Sequence, residues 1–173
     1  MPTLVSVGNA RQPFVRLTEA VSRIAARLPA PVVVQHGHTS FDCPVCEGRA
    51  FVEMDEFAGL MGRSRLIILH AGAGSILQAL DAGKYPVVMP RRLAHGEHID
   101  DHQLELAQAF AGRGLVELAM EPADLYPAVQ RALARQGQSA RRWDERLSRL
   151  LAEELESHAR DCAEGGHKIV TGS

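Results

Sequence analysis

Short apolar runs alternate along the chain with segments in which apolar side chains recur every three or four residues. The runs predict β-strands, and the periodic segments predict helices. This alternation is typical of α/β proteins, in which crossover helices connect the strands of a parallel sheet. We therefore expect a Rossmann-like parallel sheet with crossover helices.

The expected elements follow one another without an internal repeat. Strands are expected over residues 4–7, 32–34, 50–53, 66–69, 86–89 and 115–118. Helices are expected over 13–28, around 57–61, and over 76–82, 104–112, 121–134 and 141–157. Pro127 is tolerable only in or near the first turn of its helix. We expect one domain over residues 1–157 and a disordered tail over 158–173, which is rich in small and polar residues.

The composition of the chain argues against several classes of protein. The 173 residues carry a net charge of −2, which argues against nucleic acid as a main partner. Three cysteines are an odd number and favour a reducing compartment over a disulfide framework. The chain shows neither the pattern of a signal peptide nor an apolar run of about 20 residues. We expect a cytoplasmic protein.

A glycine-rich turn, His70-Ala-Gly-Ala-Gly-Ser75, lies between an apolar strand and a helix. Such a turn presents unpaired N–H groups and the positive end of a helix dipole, which suits a phosphate or diphosphate. Gly72 and Gly74 lack a Cβ and allow close approach of an anion, and Ser75 can cap the helix or bind the ligand. The alternative is a turn that serves only close strand–helix packing.

A second polar loop, residues 90–103, follows the fifth expected strand. It contains an arginine for phosphate charge and carboxylates, imidazoles and an amide for sugar or base groups. The alternative is that Asp100 or Asp101 caps the next helix and the other side chains are solvated. Because ligands bind at the carboxyl ends of parallel strands, this loop, the glycine turn, Gly8-Asn9 and 36–38 should share one rim.

Several motifs together resemble a known family. They are 70–75, Ala82-Gly83-Lys84, Pro90-Arg91, Gly96-Glu97-His98 and the run 101–107, supported by 7–9 and 34–37. The combination, over about residues 1–135, is similar to the C-terminal, donor-binding domain of family 28 glycosyltransferases, above all to stand-alone subunits that act on dolichol-linked sugar or in bacterial exopolysaccharide and capsule synthesis. The resemblance implies a single half-domain of the GT-B type.

The resemblance also implies a UDP-sugar donor site and no required cofactor. It assigns the diphosphate to Gly72, Ala73, Gly74 and Ser75, and the donor sugar to His102 and Gln103. Gln78 takes the place of a glutamate that bonds the ribose in relatives. The full donor-binding set is Gly8, Asn9, His70, Gly72, Ala73, Gly74, Ser75, Gln78, Arg91, Glu97, His98, Asp101, His102 and Gln103.

A GT-B enzyme has two halves, so the resemblance implies a second chain. This partner would be a membrane-associated, acceptor-binding subunit of the GT-B N-terminal type that holds a lipid-linked acceptor and keeps the complex at the cytoplasmic membrane. Helix 141–157 would contact it or pack on its own domain. The pair would form an inverting hexosyltransferase or N-acetylhexosaminyltransferase, with the general base on the partner or, in this chain, His70 or His98. The alternative is a non-catalytic nucleotide-sugar-binding accessory subunit.

Two groups of potential metal ligands give a third interpretation. His36, His38, Cys43 and Cys46 have residue types suited to a zinc module, although a single C-x-x-C pair is weak evidence. The second group is His95, His98 and His102 with Asp101. A thioredoxin-like redox role is disfavoured because Cys43 does not open a helix after a strand.

Overall fold

The structure, a computed structural model, describes residues 1–135. Six strands form one parallel sheet in the order β3-β2-β1-β4-β5-β6. The strands are β1 (Thr3–Ser6), β2 (Val32–Gln35), β3 (Cys46–Arg49), β4 (Leu66–His70), β5 (Val87–Met89) and β6 (Glu117–Leu118). This confirms the predicted α/β architecture.

The connections are helical. The helices are α1 (Val15–Ile24), α2 (Met54–Arg63), α3 (Ala73–Asp81), α4 (His102–Gly112) and α5 (Leu125–Arg135), with 3₁₀ turns at Ala25–Arg27, Leu93–His95 and Pro122–Asp124. Within these described elements, no helix is both long enough and apolar enough to span a bilayer.

The core explains why the strand sequences are almost continuously apolar. Alternate strand residues such as Val5, Val34 and Ile68 pack with residues of α1 and α5 in one buried cluster. The intervening residues, for example Leu4 and Ile67, are equally buried, so both faces of the sheet are covered. Strands that are buried on both faces read as apolar runs without alternation.

The third strand was predicted in the wrong place. The apolar pair Phe51-Val52 suggested a strand at 50–53, whereas the strand is Cys46–Arg49 and pairs with β2 from Val32↔Cys46 onward. β3 is an edge strand with a partly exposed, polar sequence, so it lacks the apolar run of a central strand. Phe51 and Val52 lie in the loop that leads to α2.

Helix boundaries differ from the expected ones by a few residues. Predicted helix 121–134 begins as the 3₁₀ turn Pro122–Asp124, and Pro127 is the third residue of α5, inside the first turn as expected. Helix α3 begins at Ala73, three residues earlier than predicted. The predicted helix 141–157, the domain boundary at 157 and the tail 158–173 lie outside the described residues.

Candidate functional site

The carboxyl ends of β1, β2 and β4 meet the start of α3 at a cleft of about 640 Å³. Ligand sites of open parallel sheets lie at this edge. Six predicted donor-binding residues line the cleft: Gly8, Asn9, His70, Gly74, Ser75 and Gln78. The other lining residues are Ser6, Gln35, Val52, Glu53, Met54 and Phe57.

The N-terminus of α3 supplies unpaired hydrogen-bond donors. Its first intrahelical bond joins the amide of Ile76 to the carbonyl of Gly72 at 3.0 Å, and no side chain caps the helix. Within residues 1–135, the amides of Ala73, Gly74 and Ser75 therefore have no hydrogen-bond acceptor. The first turn also lacks acidic residues. The amides and the helix dipole together favour an anion here.

The two glycines of the turn have different roles. A Cβ on Gly74 would have no atom within 4 Å, so the space beside this exposed residue is open. A Cβ on Gly72 would overlap Nε2 of His70. The missing side chain of Gly72 therefore makes room for an imidazole of the protein, and not for an anion as the sequence suggested.

The His70 ring lies between two glycines. Gly8 has φ +76°, and a Cβ on it would lie 2.5 Å from Cε1 and Nε2 of His70. Burial lowers the pKa of His70 to about 4, the positive charge of Arg91 adds to the shift, and the backbone of Ser6 opposes it. Within residues 1–135, Nδ1 is buried without a hydrogen bond of normal geometry. His70 is thus a neutral, packed imidazole in the wall of the cleft.

One wall of the cleft is polar. Nε2 of Gln35 donates a hydrogen bond to Oδ1 of Asn9 at 3.1 Å, and Oγ of Ser6 accepts one from the amide of Gly8 at 3.2 Å. Gln35 was not among the predicted site residues. Its place at the carboxyl end of β2, next to the predicted Gly8-Asn9 end of β1, is the sequence feature that could have identified it.

Another part of the cleft lining is more apolar and was missed entirely. It comprises Val52 and Met54 from the loop after β3 and the start of α2, together with Phe57. The misplaced third strand concealed this wall, because it assigned the loop residues to the sheet. Glu53, the N-cap residue of α2, adds one carboxylate.

Arg91 does not contact the cleft as predicted. The side chain is 0% exposed and donates to the carbonyls of Val7 at 2.8 Å, Gln12 at 2.7 Å and Glu97 at 2.9 Å. Its guanidinium also lies 4.7 Å from the ring centroid of Phe14. Burial lowers the pKa of Arg91 to about 10, so the charge persists at neutral pH. The donors are used within the protein, which corrects the prediction of a direct phosphate contact.

Glu97 and Gln103 are likewise internal supports. Both oxygens of Glu97, a residue only 4% exposed, accept from Arg16 at 3.0 and 2.9 Å. The Oε1 atom of Gln103 accepts from the amide of Arg91 at 3.2 Å. The resemblance assigned Glu97 and Gln103 to the donor, whereas in the structure they hold the loop that follows β5.

The remaining predicted residues of this loop, His98, Asp101 and His102, do not line the cleft. Oδ1 of Asp101 accepts from the amide of Leu93 at 3.0 Å, which braces the loop. Oδ1 of Asp100 accepts from the amide of His102 at 3.1 Å and contacts Nδ1 of His98 at 2.9 Å. Asp100 thus bonds the first amide of α4, whereas the N-cap residue is Asp101, whose side chain forms no capping hydrogen bond.

The two predicted metal groups are not assembled. In the part of the chain that the structure describes, no three His, Cys, Asp or Glu side chains are grouped to share a metal ion. Nδ1 of His36 bonds the carbonyl oxygen of Thr39 at 2.8 Å. Cys43 and Cys46 close a turn, with the Cys46 amide 3.0 Å from the Cys43 oxygen. The groups concerned are His36, His38, Cys43 and Cys46, and His95, His98, His102 and Asp101.

Comparison with known sequences identifies the family. The sequence model of the glycosyltransferase family 28 C-terminal domain matches residues 4–159, which is most of the chain. The chain belongs to this family. The predicted family and the predicted fold class are both confirmed.

Curated relatives of this family 28 domain are subunits. This chain is 45% identical over 58 residues to the UDP-N-acetylglucosamine transferase subunit ALG13 of Yarrowia lipolytica, and the match covers 34% of this chain and 28% of that protein. It is 45% identical over 67 residues to ALG13 of Cryptococcus neoformans, covering 38% and 32%. The matched segment thus spans about a third of the relatives' length or less.

Solved structures agree with the fold of the family 28 domain. The glycotransferase of kitacinnamycin has a TM-score of 0.62 at 24% identity, over 91% of this chain and 39% of that one. The calicheamicin glycosyltransferase CalG4 has a TM-score of 0.61 at 22% identity, over 94% and 44%. MurG of Acinetobacter baumannii has a TM-score of 0.57 at 17% identity, over 91% and 50%.

Proposed function

We propose that this chain binds a UDP-sugar in the cleft and is the donor-binding subunit of a two-component inverting glycosyltransferase. The enzyme transfers a hexose or N-acetylhexosamine to a lipid-linked acceptor in polysaccharide biosynthesis. The observation that carries the proposal is the set of unpaired amides of Ala73, Gly74 and Ser75, of which the last two residues line the cleft. Family membership and the ALG13 relatives support it.

The diphosphate is the group that the α3 N-terminus suits best. Three amides and the helix dipole stabilise the negative charge that grows on the leaving UDP as the sugar departs. Arg91 adds a buried positive charge, which acts at His70 in the cleft wall without touching the ligand. We propose that these groups serve without a metal cofactor.

The nucleoside fits the side of the cleft nearest β2 and α2. Val52 and Phe57 give an apolar surface for the flat uracil ring, and the Gln35–Asn9 pair gives hydrogen-bonding groups. Gln78, in the second turn of α3, is placed to bond the ribose hydroxyls. Its amide offers one carbonyl acceptor, where a carboxylate would offer two charged oxygens.

The acceptor belongs on a second chain in this proposal. The ALG13 relatives are named as subunits of a transferase, which supports a partner for this chain as well. We propose a membrane-associated, acceptor-binding partner of the GT-B N-terminal type, which would hold the complex at the cytoplasmic side of the membrane. Nucleic acid is not a proposed partner, since the net charge is −2.

Calorimetric titration with UDP and UDP-N-acetylglucosamine tests the donor site. The variant Gly74→Trp places an indole in the open space in front of the amides and should abolish binding of both ligands. Gly62→Trp is the matched control, because Gly62 also has open surroundings but does not line the cleft. Equal UDP affinity in wild type and Gly74→Trp would exclude this cleft as the donor site.

Turnover tests the transferase role separately. The purified chain is combined with a candidate acceptor-binding partner, a UDP-sugar and a lipid-linked acceptor, and release of UDP is measured. Turnover that requires both chains supports the proposal. Donor binding without turnover in any such combination would instead favour the accessory, non-catalytic role.

A further inference from the structure

His98 and Asp100 form an imidazole–carboxylate pair on the loop after β5. Nδ1 of His98 lies 2.9 Å from Oδ1 of Asp100. An ionised carboxylate can only accept, so Nδ1 carries the proton of this hydrogen bond. In the neutral imidazole, the other ring nitrogen, Nε2, is then an acceptor with a free lone pair.

Asp100 is itself fixed in place. The same Oδ1 atom accepts from the amide of His102 at 3.1 Å, at the start of α4. The carboxylate is thus held by the backbone of a helix, and it holds the imidazole in turn. Such a carboxylate selects both the orientation and the tautomer of its histidine.

Nε2 of His98 remains available to a ligand. No group within residues 1–135 forms a hydrogen bond with it, and the side chain is 24% exposed. The imidazole is therefore pre-oriented by one nitrogen and reachable at the other. Neither the capping of α4 nor the bracing of the loop requires this second nitrogen.

Arg91 connects the loop that carries His98 with the wall of the cleft. The guanidinium of Arg91 donates one hydrogen bond to the carbonyl of Glu97 at 2.9 Å and another to the carbonyl of Val7 at 2.8 Å. These carbonyls immediately precede His98 and Gly8, and Gly8 lines the cleft. His98 also contributes to lowering the pKa of His70, in agreement with its closeness to that wall.

The order of strands indicates which end of the ligand His98 faces. This step rests on the proposed function. In the proposed function, the diphosphate lies at the N-terminus of α3, which follows β4, and the nucleoside lies on the side of β2. The sugar of the UDP-sugar then extends in the other direction along the sheet edge, toward β5. The loop that carries His98 follows β5, so it borders the position of the sugar.

We propose that Nε2 of His98 accepts a hydrogen bond from a hydroxyl group of the transferred sugar, and that Asp100 is the positioning residue that holds the proton of the neutral ring on Nδ1. The resemblance named His98 as a donor-binding residue without an atom or a ligand group, and it gave Asp100 no role in binding. To this we add the binding atom, Nε2, the Nδ1–H tautomer of the ring and the positioning residue Asp100.

Calorimetry with two ligands tests His98. His98→Ala should weaken UDP-N-acetylglucosamine binding about five-fold, the effect of one neutral hydrogen bond, and leave UDP binding within about two-fold. His95→Ala is the matched control, an exposed histidine on the same loop. Unchanged UDP-sugar affinity in His98→Ala overturns the inference. Absence of UDP binding to wild type would instead refute the proposed function.

Asp100→Ala tests the positioning role. Alanine removes the oxygen that both the His102 amide and Nδ1 of His98 contact, so the neutral ring is no longer held in one tautomer, and retained UDP binding shows that the fold persists. Long-range ¹H–¹⁵N spectra should show the Nδ1–H tautomer of His98 in wild type and a mixture in the variant, with UDP-sugar binding reduced about two- to five-fold. A wild-type Nε2–H tautomer, or an unaltered UDP-sugar affinity in Asp100→Ala, overturns the assignment.

Discussion

The imidazole of His70 occupies the volume that a side chain on Gly72 would need. A Cβ on Gly72 would overlap Nε2 and lie 2.9 Å from Cδ2 of the ring. Helix α3 begins at the next residue, Ala73, so the packing of one ring helps to set where the first amides of the helix lie. The geometry of the turn, at which we propose that the diphosphate binds, depends on this contact between two residues of the protein.

Gly72→Ala should therefore destabilise the protein by about 1–3 kcal/mol, because the new methyl group forces the ring or the turn to move. Urea denaturation measures the change in unfolding free energy. The double variant Gly72→Ala/His70→Ala should show a smaller additional loss than the sum of the single variants, because the clash is absent. Strict additivity, or full stability of Gly72→Ala, would contradict this packing.

Gly74→Ala is the companion variant with the opposite expectation for stability. Its Cβ meets no atom within 4 Å, and alanine is favoured over glycine in a helix by about 0.5–1 kcal/mol. Stability should rise or stay constant while UDP affinity falls, since the methyl group enters the space in front of the amides. A loss of stability without loss of UDP affinity would reverse the roles assigned to the two glycines.

Protonation of His70 should destabilise the fold in mild acid. Burial and then Arg91 lower the pKa of His70 to about 4, below the unfolded value near 6.5. Between these values the unfolded chain binds more protons, so the free energy of unfolding falls as the pH falls from 6.5 to 4, by at most about 3 kcal/mol. Above pH 6.5 this contribution is fully present.

Urea denaturation of wild type and His70→Asn between pH 4 and pH 7 measures this contribution. The neighbouring charged or titratable groups, Arg91 and His98, are retained in both proteins. The stability difference between the two should therefore shrink as the pH falls through the window. Parallel pH profiles would show that His70 does not titrate as its burial indicates.

Arg91→Lys should cost about 2–3 kcal/mol of unfolding free energy. The guanidinium bonds carbonyls from three segments, at Val7, Gln12 and Glu97, and a lysine cannot reproduce this fork. The variant keeps a positive charge, so the loss reports geometry and not charge. Chemical denaturation provides the measurement.

The neighbouring Arg92→Lys is the control. Arg92 forms a more exposed ion pair with Glu121 at 2.9 Å, and such pairs contribute about 0–1 kcal/mol. Its stability should lie within about 0.5 kcal/mol of wild type. Similar losses for both arginines would disprove the different roles of these adjacent residues.

The contrast between Arg91 and Arg92 shows what the sequence could not predict. The polar loop after β5 was recognisable, but adjacent arginines are equivalent in a linear pattern. Only the folded chain brings Val7 and Gln12, about 80 positions earlier, to the guanidinium of Arg91. The predicted phosphate contact was wrong because a charge that seemed free has three internal acceptors.

The turn at the start of α3, in contrast, was predictable because it depends on residues that are neighbours in the sequence. Its strand, glycines and helix are consecutive, so the local sequence determines that unpaired amides face the carboxyl edge of the sheet. The central strands were predictable because they are buried on both faces. The polar edge strand β3 has no such pattern, and the apolar wall that follows it, including Val52 and Phe57, was missed with it.

Gln78→Glu should increase affinity for UDP about five-fold, because a carboxylate accepts stronger hydrogen bonds from ribose hydroxyls than an amide does. Gln78 lines the cleft on α3, on the same helix as the amides assigned to the diphosphate. Calorimetry with UDP and 2′-deoxy-UDP measures the effect, and the gain should be smaller with the deoxy ligand. Equal gains with both ligands would point to a general electrostatic change, and an unchanged UDP affinity would place the ribose elsewhere in the cleft.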